Sequence, residues 1–231
     1  IGEPTPYTWS SRSSYFGIVD LAGFPKDVYY MYQSECTTKT VLHLFPHWNW
    51  KPGQTVDMWA YYNNADEVEL FLNGRSLGRQ HKVGDQLHVM WKVPFEAGTL
   101  RAISYKQGRQ VASTEVKTAG IPNRIRLTAD RRKITADGSD LSFVTIDIVD
   151  KDGNLVPDAD NLVKFQLEGP GKIAGVDNGS PISMESFKAD HRKAFNGKAL
   201  CVIQSKKRSG IIRLTATSAG LATGIVEISS K

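Results

Sequence analysis

The sequence predicts a mainly β chain made of two immunoglobulin-like antiparallel β-sandwich domains, and three features lead there. From Thr40 onward, apolar and polar residues alternate in short runs, the period that sends successive side chains to opposite faces of a strand. Each run is closed by Gly, Pro, Asn or Asp. No helical period separates the runs, so strand follows strand directly, as in a sandwich rather than a layered α/β fold.

The opening "YFGIVDLAGFPKDVYYMYQSEC", Tyr15–Cys36, has another character: aromatic, punctuated by Asp20, Gly23 and Pro25, then helical. Val28, Tyr29, Tyr32 and Cys36 recur at spacings that put them on one face of a short helix. Tyr29, Tyr30 and Tyr32 are the candidates to pack it on a neighbouring sandwich. The runs "TVLHLF", "TVDMWAYY", "EVELFLNG", "LHVMWKV", "TLRAISYK" and "QVASTEVKT" give a first set of strands. Gly120 and Pro122, in "TAGIPNRIRLTAD", then interrupt the ladder. A second set follows: "RIRLTAD", "DLSFVTIDIVD", "NLVKFQLEG", "GKIAGVDNG", "KALCVIQS", "IIRLTATS" and "GIVEISS". Between them "DKDGN", "EGPG" and "DNGSP" supply turn residues. The two sets share no motif at a fixed spacing, so no repeat is read from them.

Composition narrows the function. An apolar fraction of 40% over 231 residues is enough for a core in each of two domains. The longest apolar runs, such as "VLHLF" and "GIIRL", fall far short of the roughly 20 residues of a spanning helix, so no membrane insertion is expected. The net charge is +5, but Lys and Arg interleave with Asp and Glu. The basic clusters "DHRKAFNGK" and "SKKRSG" sit among Gly, Asn and Ser and read as solvated loops, so no nucleic-acid partner is expected. Cys36 and Cys201 lie far apart with no CxxC spacing, which predicts two isolated, buried or partly buried thiols.

The stretch "GEPTPYTWSSRSSYFGIVDLAGFPKDVYYMYQSEC", Gly2–Cys36, resembles the end of the catalytic (β/α)8 barrel of family-two glycoside hydrolases, the bacterial β-galactosidase group. One departure is Cys36, where relatives usually carry tryptophan. "FPHWNWKPGQTVDMWAYYNNADEVELFLNGRSLG" resembles the sandwich that follows the barrel, and "DKDGNLVPDADNLVKFQLEGPGKIAGVDNGSP" resembles the further immunoglobulin-like domain near the C-terminus of such enzymes. The resemblance implies a loop-helix barrel remnant over 1–38, a first sandwich over 39–120 and a second over 121–231. It also implies partners: the upstream barrel of the same polypeptide and that enzyme's carbohydrate substrate, with an oligomer compatible. By analogy with polysaccharide-degrading relatives, the expected location is the periplasm or the cell exterior.

Retaining β-glycosidases need two carboxyl groups about 5 to 5.5 Å apart. In the family these are glutamates on earlier barrel strands, so no catalytic residue is assigned to this chain and it is expected to be inactive. Glu3, Tyr7 and Trp9, in the loop after the last barrel strand, are the candidate substrate-rim residues of the intact enzyme. Asp27 and Glu35 bracket the helix and read as surface ion-pair partners.

Other constellations carry less. His43 and His47 have the spacing of a helical metal pair, but Pro46 and strand alternation keep them from converging. Asp150, Asp152 and Asn154 alternate as in a calcium loop, yet position 12 would be Asn161 rather than a bidentate glutamate, which leaves a hairpin turn. No metal or cofactor is expected. Trp48 and Trp50 would share one face of an extended segment and are the candidate sugar-stacking residues, against the alternative that they pack in the core. Trp59 and Trp91 read as core. The sequence thus supports an accessory, structural C-terminal region of a β-galactosidase-like hydrolase, with a carbohydrate-binding or surface-attachment module as the alternative.

Overall fold

A computed structural model describes residues 11–13 and 15–231. The chain forms two compact units: Pro25–Thr118, and Ile1–Phe24 together with Ala119–Lys231. The opening stretch is therefore divided between them at Pro25.

The Pro25–Thr118 unit begins with helix α1, Asp27–Cys36. Strands β1 (Leu42–Phe45), β2 (Thr55–Tyr62) and β5 (Val89–Pro94) form an antiparallel sheet in the order β1-β2-β5. Strands β3 (Glu67–Leu72), β4 (Arg75–Gln80), β6 (Thr99–Lys106) and β7 (Arg109–Lys117) form a second in the order β4-β3-β6-β7. Alternation decides what each strand buries: Val56, Met58, Ala60 and Tyr62 of β2 with Trp91 and Val93 of β5 share one core with Val68, Leu70 and Leu72 of β3 and Leu100 and Ala102 of β6. Each sheet thus removes the other's apolar face from water, at roughly 1.5–3 kcal/mol for every large side chain fully buried. The turns joining β3 to β4 and β6 to β7 carry consecutive positive φ values at Asn73–Gly74 and Gln107–Gly108, the conformation of tight hairpins.

Helix α1 turns a different face to the sheet than its spacing predicts. The Tyr30 ring stacks on His43 of β1 at 3.9 Å, Asp27 pairs with His43 Nε2 at 2.7 Å, and Ser34 is buried. Tyr32 and Cys36, expected on the packed face, are exposed. The residues turned to the sheet are 27, 30 and 34, two positions out of phase with the predicted 29–32–36, and the Asp27–His43 hydrogen bond with the Tyr30–His43 stack holds the helix in that rotation.

Asn63 ties the helix exit to β2. Its Oδ1 accepts the Val41 N–H at 2.8 Å, and Nδ2 donates toward the carbonyls of Ser34 (3.0 Å), Thr37 (3.3 Å) and Lys39 (2.9 Å). Asn63→Ala leaves the buried Val41 N–H unpaired, so it should lower stability by roughly 1–3 kcal/mol. It should also speed amide exchange across Asp27–Cys36. Unchanged protection there would show that the helix is held by other means.

The other unit is a larger sandwich. One sheet runs β12 (Gly171–Asp177), β14 (Lys198–Ser205), β10 (Leu141–Val149), β8 (Arg124–Ala129). The facing sheet runs β13 (His191–Lys193), β11 (Leu162–Glu168), β15 (Gly210–Thr217), β16 (Gly224–Ser230), β9 (Lys133–Ile134). Pairing is antiparallel except for the short β16–β9 contact. Val144, Ile146 and Ile148 with Ala199, Cys201 and Ile203 pack on Val163, Phe165, Ile212, Leu214, Val226 and Ile228. Burial drives the Cys201 thiol up to about 12, which makes it an inert core residue.

Every strand run named from the sequence is a strand here. β4, β9 and β13 were missed. β4 is an edge strand in which Leu77 alone is partly buried, so it has no alternation to read. The other two are only two and three residues long.

Candidate functional site

The acidic and aromatic residues singled out from the sequence are mostly engaged in contacts within their own unit. Glu3, Tyr7 and Trp9 lie outside the described residues. Asp27 bonds His43 and Glu35 forms an ion pair with Lys82 Nζ at 2.9 Å, so both carboxylates of the helix have a side-chain partner. His47 does not converge with His43: it stacks on Trp50 at 4.8 Å. Among the described residues no group of three or more His, Cys, Asp or Glu is arranged to hold a metal ion.

Asp150 organises a turn. Its Oδ1 accepts the N–H groups of Asp152 (3.0 Å) and Asn154 (2.8 Å), while Oδ2 accepts the Gly120 N–H (2.8 Å) and the Asn154 side chain (3.0 Å). Burial alone would raise this carboxyl; the donated hydrogen bonds outweigh it and bring the pKa down to about 2. A carboxylate whose four contacts are all protein donors closes a turn rather than a cation site.

The tryptophans need two corrections. Trp48 is wholly buried, with Nε1 donating to the Glu96 carbonyl at 2.9 Å and its ring set edge-on to Phe95. Trp50 is half-buried, stacks on His47 and donates to the His47 carbonyl at 2.7 Å. The two do not share a face: β1 ends at Phe45, and residues 46–50 bend at Pro46 and Trp48 and form no strand. Trp91 is core as expected, but Trp59 points outward from β2 and stacks on His88 at 4.0 Å.

Trp59 belongs to a ladder on the outer face of the β1-β2-β5 sheet. Tyr30 stacks on His43, His43 on Phe45 at 5.4 Å, Phe45 lies 4.7 Å from Tyr61, and Trp59 and His88 are within 10° of parallel. These rings present their faces mainly to one another. Stacking on a sugar needs a free ring face.

Two open clefts occur in the same unit. One of about 550 Å³ is lined by Arg75, Gln80, Trp91, Lys92 and Glu96; another of about 360 Å³ is lined by Phe71, Arg101, Ile103 and Glu115. Each offers one carboxylate, and glycoside hydrolysis by the two-carboxylate route needs a pair.

A buried polar cluster around Arg192 is not visible in the sequence pattern. Arg192 of β13 is fully buried, donating to Asp177 (3.2 Å), Asn178 (3.3 Å) and the Glu185 carbonyl (3.0 Å). Its guanidinium lies 5.3 Å from the Phe187 ring, and Arg12 lies over the same ring at 4.4 Å. Arg12 also donates to the carbonyls of Pro181 (2.6 Å), Met184 (3.1 Å) and Glu185 (3.3 Å). In sequence Arg192 lies in the basic run "DHRKAFNGK", where nothing separates a buried guanidinium from solvated neighbours.

Comparison with known proteins shows the family. Residues 125–227 match the model described as glycoside hydrolase family 2 C-terminal domain 5. Residues 53–112 match a domain of unknown function. All 231 residues align at 63% identity with a β-galactosidase of Bacteroides ovatus. The chain belongs to glycoside hydrolase family 2. It spans 27% of the length of that B. ovatus protein. A protein of Formosa agariphila named a putative β-glucuronidase is 41% identical over 190 residues, 79% of this chain and 18% of its own length. A β-glycosidase structure from Bacteroides vulgatus superposes with a TM-score of 0.91 at 35% identity, covering 96% of this chain and 29% of that one. A family 2 structure from Bacteroides cellulosilyticus gives 0.86 at 35% identity, over 93% and 31%.

Two measurements check the site assignments. Trp48→Ala should cost roughly 3–5 kcal/mol in urea unfolding, the range for removing a buried aromatic; a cost near zero would mean the ring is not core. Asp150 titrates near 2 when folded, below the ordinary value near 4, so its contribution is present above about pH 4 and is lost as pH falls toward 2. The urea midpoint of the Ala119–Lys231 unit should fall across that window. Asp150→Asn should lower the midpoint at neutral pH and flatten part of that fall.

Proposed function

We propose that this chain is the non-catalytic C-terminal region of a retaining β-galactosidase-like enzyme, acting on β-galactosides or related β-glycosides. Its role is accessory: it braces the catalytic barrel and fixes the geometry between domains. The observation that carries this is the 63% identity along the full 231 residues to a protein named a β-galactosidase, of which the chain spans only 27%. The described residues support the non-catalytic part, since they hold one α-helix and two sandwiches rather than the alternating β/α units from which a barrel pocket is built. The Formosa name keeps β-glucuronides as the competing substrate class. By the same reading the parent works in the periplasm or at the cell exterior.

No observation favours the carbohydrate-binding alternative. Trp48 and Trp91 are buried, and Trp50 and Trp59 each spend a face on a histidine ring.

A chromogenic aryl β-galactoside should not be turned over by the 231-residue chain. The same polypeptide extended upstream through the barrel should hydrolyse it with retention at the anomeric carbon, and faster than the matching β-glucuronide. Turnover by the short chain would overturn the accessory role; glucuronide preference in the long one would overturn the substrate class.

A further inference from the structure

The unit containing Ala119–Lys231 carries an apolar surface that its own folding does not explain. Phe16 is 69% exposed, Ile18 40% and Leu21 41%; on the β12–β13 loop Ile182 is 50% exposed, Met184 62% and Phe187 38%. The two segments lie side by side. Arg12 bonds three carbonyls of the loop and covers Phe187, and a Cβ placed on Gly179 would come within 2.0 Å of the Asp20 carboxylate.

The surface is also braced from beneath. Arg192, fully buried, grips Asp177, Asn178 and the Glu185 carbonyl, so the loop is anchored at its start and at its middle while Ile182 and Met184 stay exposed and Phe187 keeps a partly exposed ring beside the two guanidinium groups. Contiguous apolar side chains held in place at a surface mark an interface, and rigidity lowers the entropy cost of using it.

We propose that residues 16–21, themselves part of the stretch that resembles the barrel's tail, and the β12–β13 loop form the face on which the rest of the catalytic barrel, upstream in the parent polypeptide, seats, an inference that rests on the reading above. Residues 125–227 match a C-terminal domain of the family, and the chain spans 27% of the B. ovatus relative, so in such a protein most of the polypeptide precedes this face. Its most exposed members, Phe16, Ile182 and Met184, are apolar, the character of permanent contacts. A tethered partner also meets it at an effective concentration on the order of millimolar, well above that of a free second copy.

The test uses the full-length parent carrying Ile182→Lys with Met184→Glu, and separately Phe16→Asp. Either variant should split the parent's thermal transition and raise the rate of protease cleavage between its catalytic and C-terminal parts by roughly tenfold, a modest loss of contact energy. The same substitutions in the 231-residue chain should leave its unfolding midpoint unchanged. Parent variants that melt and resist protease like the original would overturn the proposal. So would a 231-residue chain that sediments as a dimer and is dissociated by the substitutions, since the face would then be a self-contact. A parent without glycosidase activity would remove the functional reading, while the protease result would still decide the docking.

Discussion

Each sheet in both units stays folded because the opposing sheet covers its apolar face, and that constraint governs where anything else can happen. Met58, Leu70 and Leu100 in one unit, and Ile146, Ile203, Ile212 and Leu214 in the other, are fully buried in this cross-sheet contact. Interiors packed this way leave few voids larger than a water molecule. A sandwich therefore has no room for a site at its centre, and chemistry or recognition must be placed on outer faces, edges and end loops. The described features follow that division: the ring ladder occupies an outer face, the larger cleft lies beside edge strand β4, and Arg192 anchors an end loop.

The strands were legible because burial on one face forces a two-residue period, and that period survives in the sequence wherever a strand has one wet side. It disappears in β4, where Leu77 alone is partly buried. The aromatic residues were harder for a related reason. An alternation argument holds only while the strand continues, and beyond Phe45 it does not, so Trp48 turns into the core while Trp50 packs beside His47. Trp59 was misjudged from the opposite direction: its strand was recognised, but parity along β2 puts it with Asp57 and Tyr61 on the outward face. Counting from Met58 or Ala60 would have placed it correctly.

Longer-range choices were not legible. The helix spacing permits several faces, and the His43–Asp27 pair with the Tyr30–His43 stack selects one of them from a strand sixteen residues away. The side-chain hydrogen bonds of Arg12 to the β12–β13 loop join residues 172 and 173 positions apart. No local period records such a contact. It depends on shape and on carbonyls left free by a loop, and neither is written in residue type.

The division of the opening stretch follows from the same local chemistry. Asp20 accepts the Phe24 N–H at 2.9 Å and its carbonyl accepts the Gly23 N–H at 3.0 Å, closing a turn immediately before Pro25. Gly23 takes the positive φ that this turn requires. Proline cannot donate a backbone hydrogen bond, so no ladder continues through position 25, and α1 starts afresh at Asp27. A segment that resembles one continuous piece of barrel is therefore built as two short pieces, each satisfied by a different unit: Phe24 beneath the Lys198 ammonium in one, Tyr30 against His43 in the other. Such a segment needs few contacts of its own to be held, which is why its remaining apolar side chains can face outward without loosening the unit that carries them.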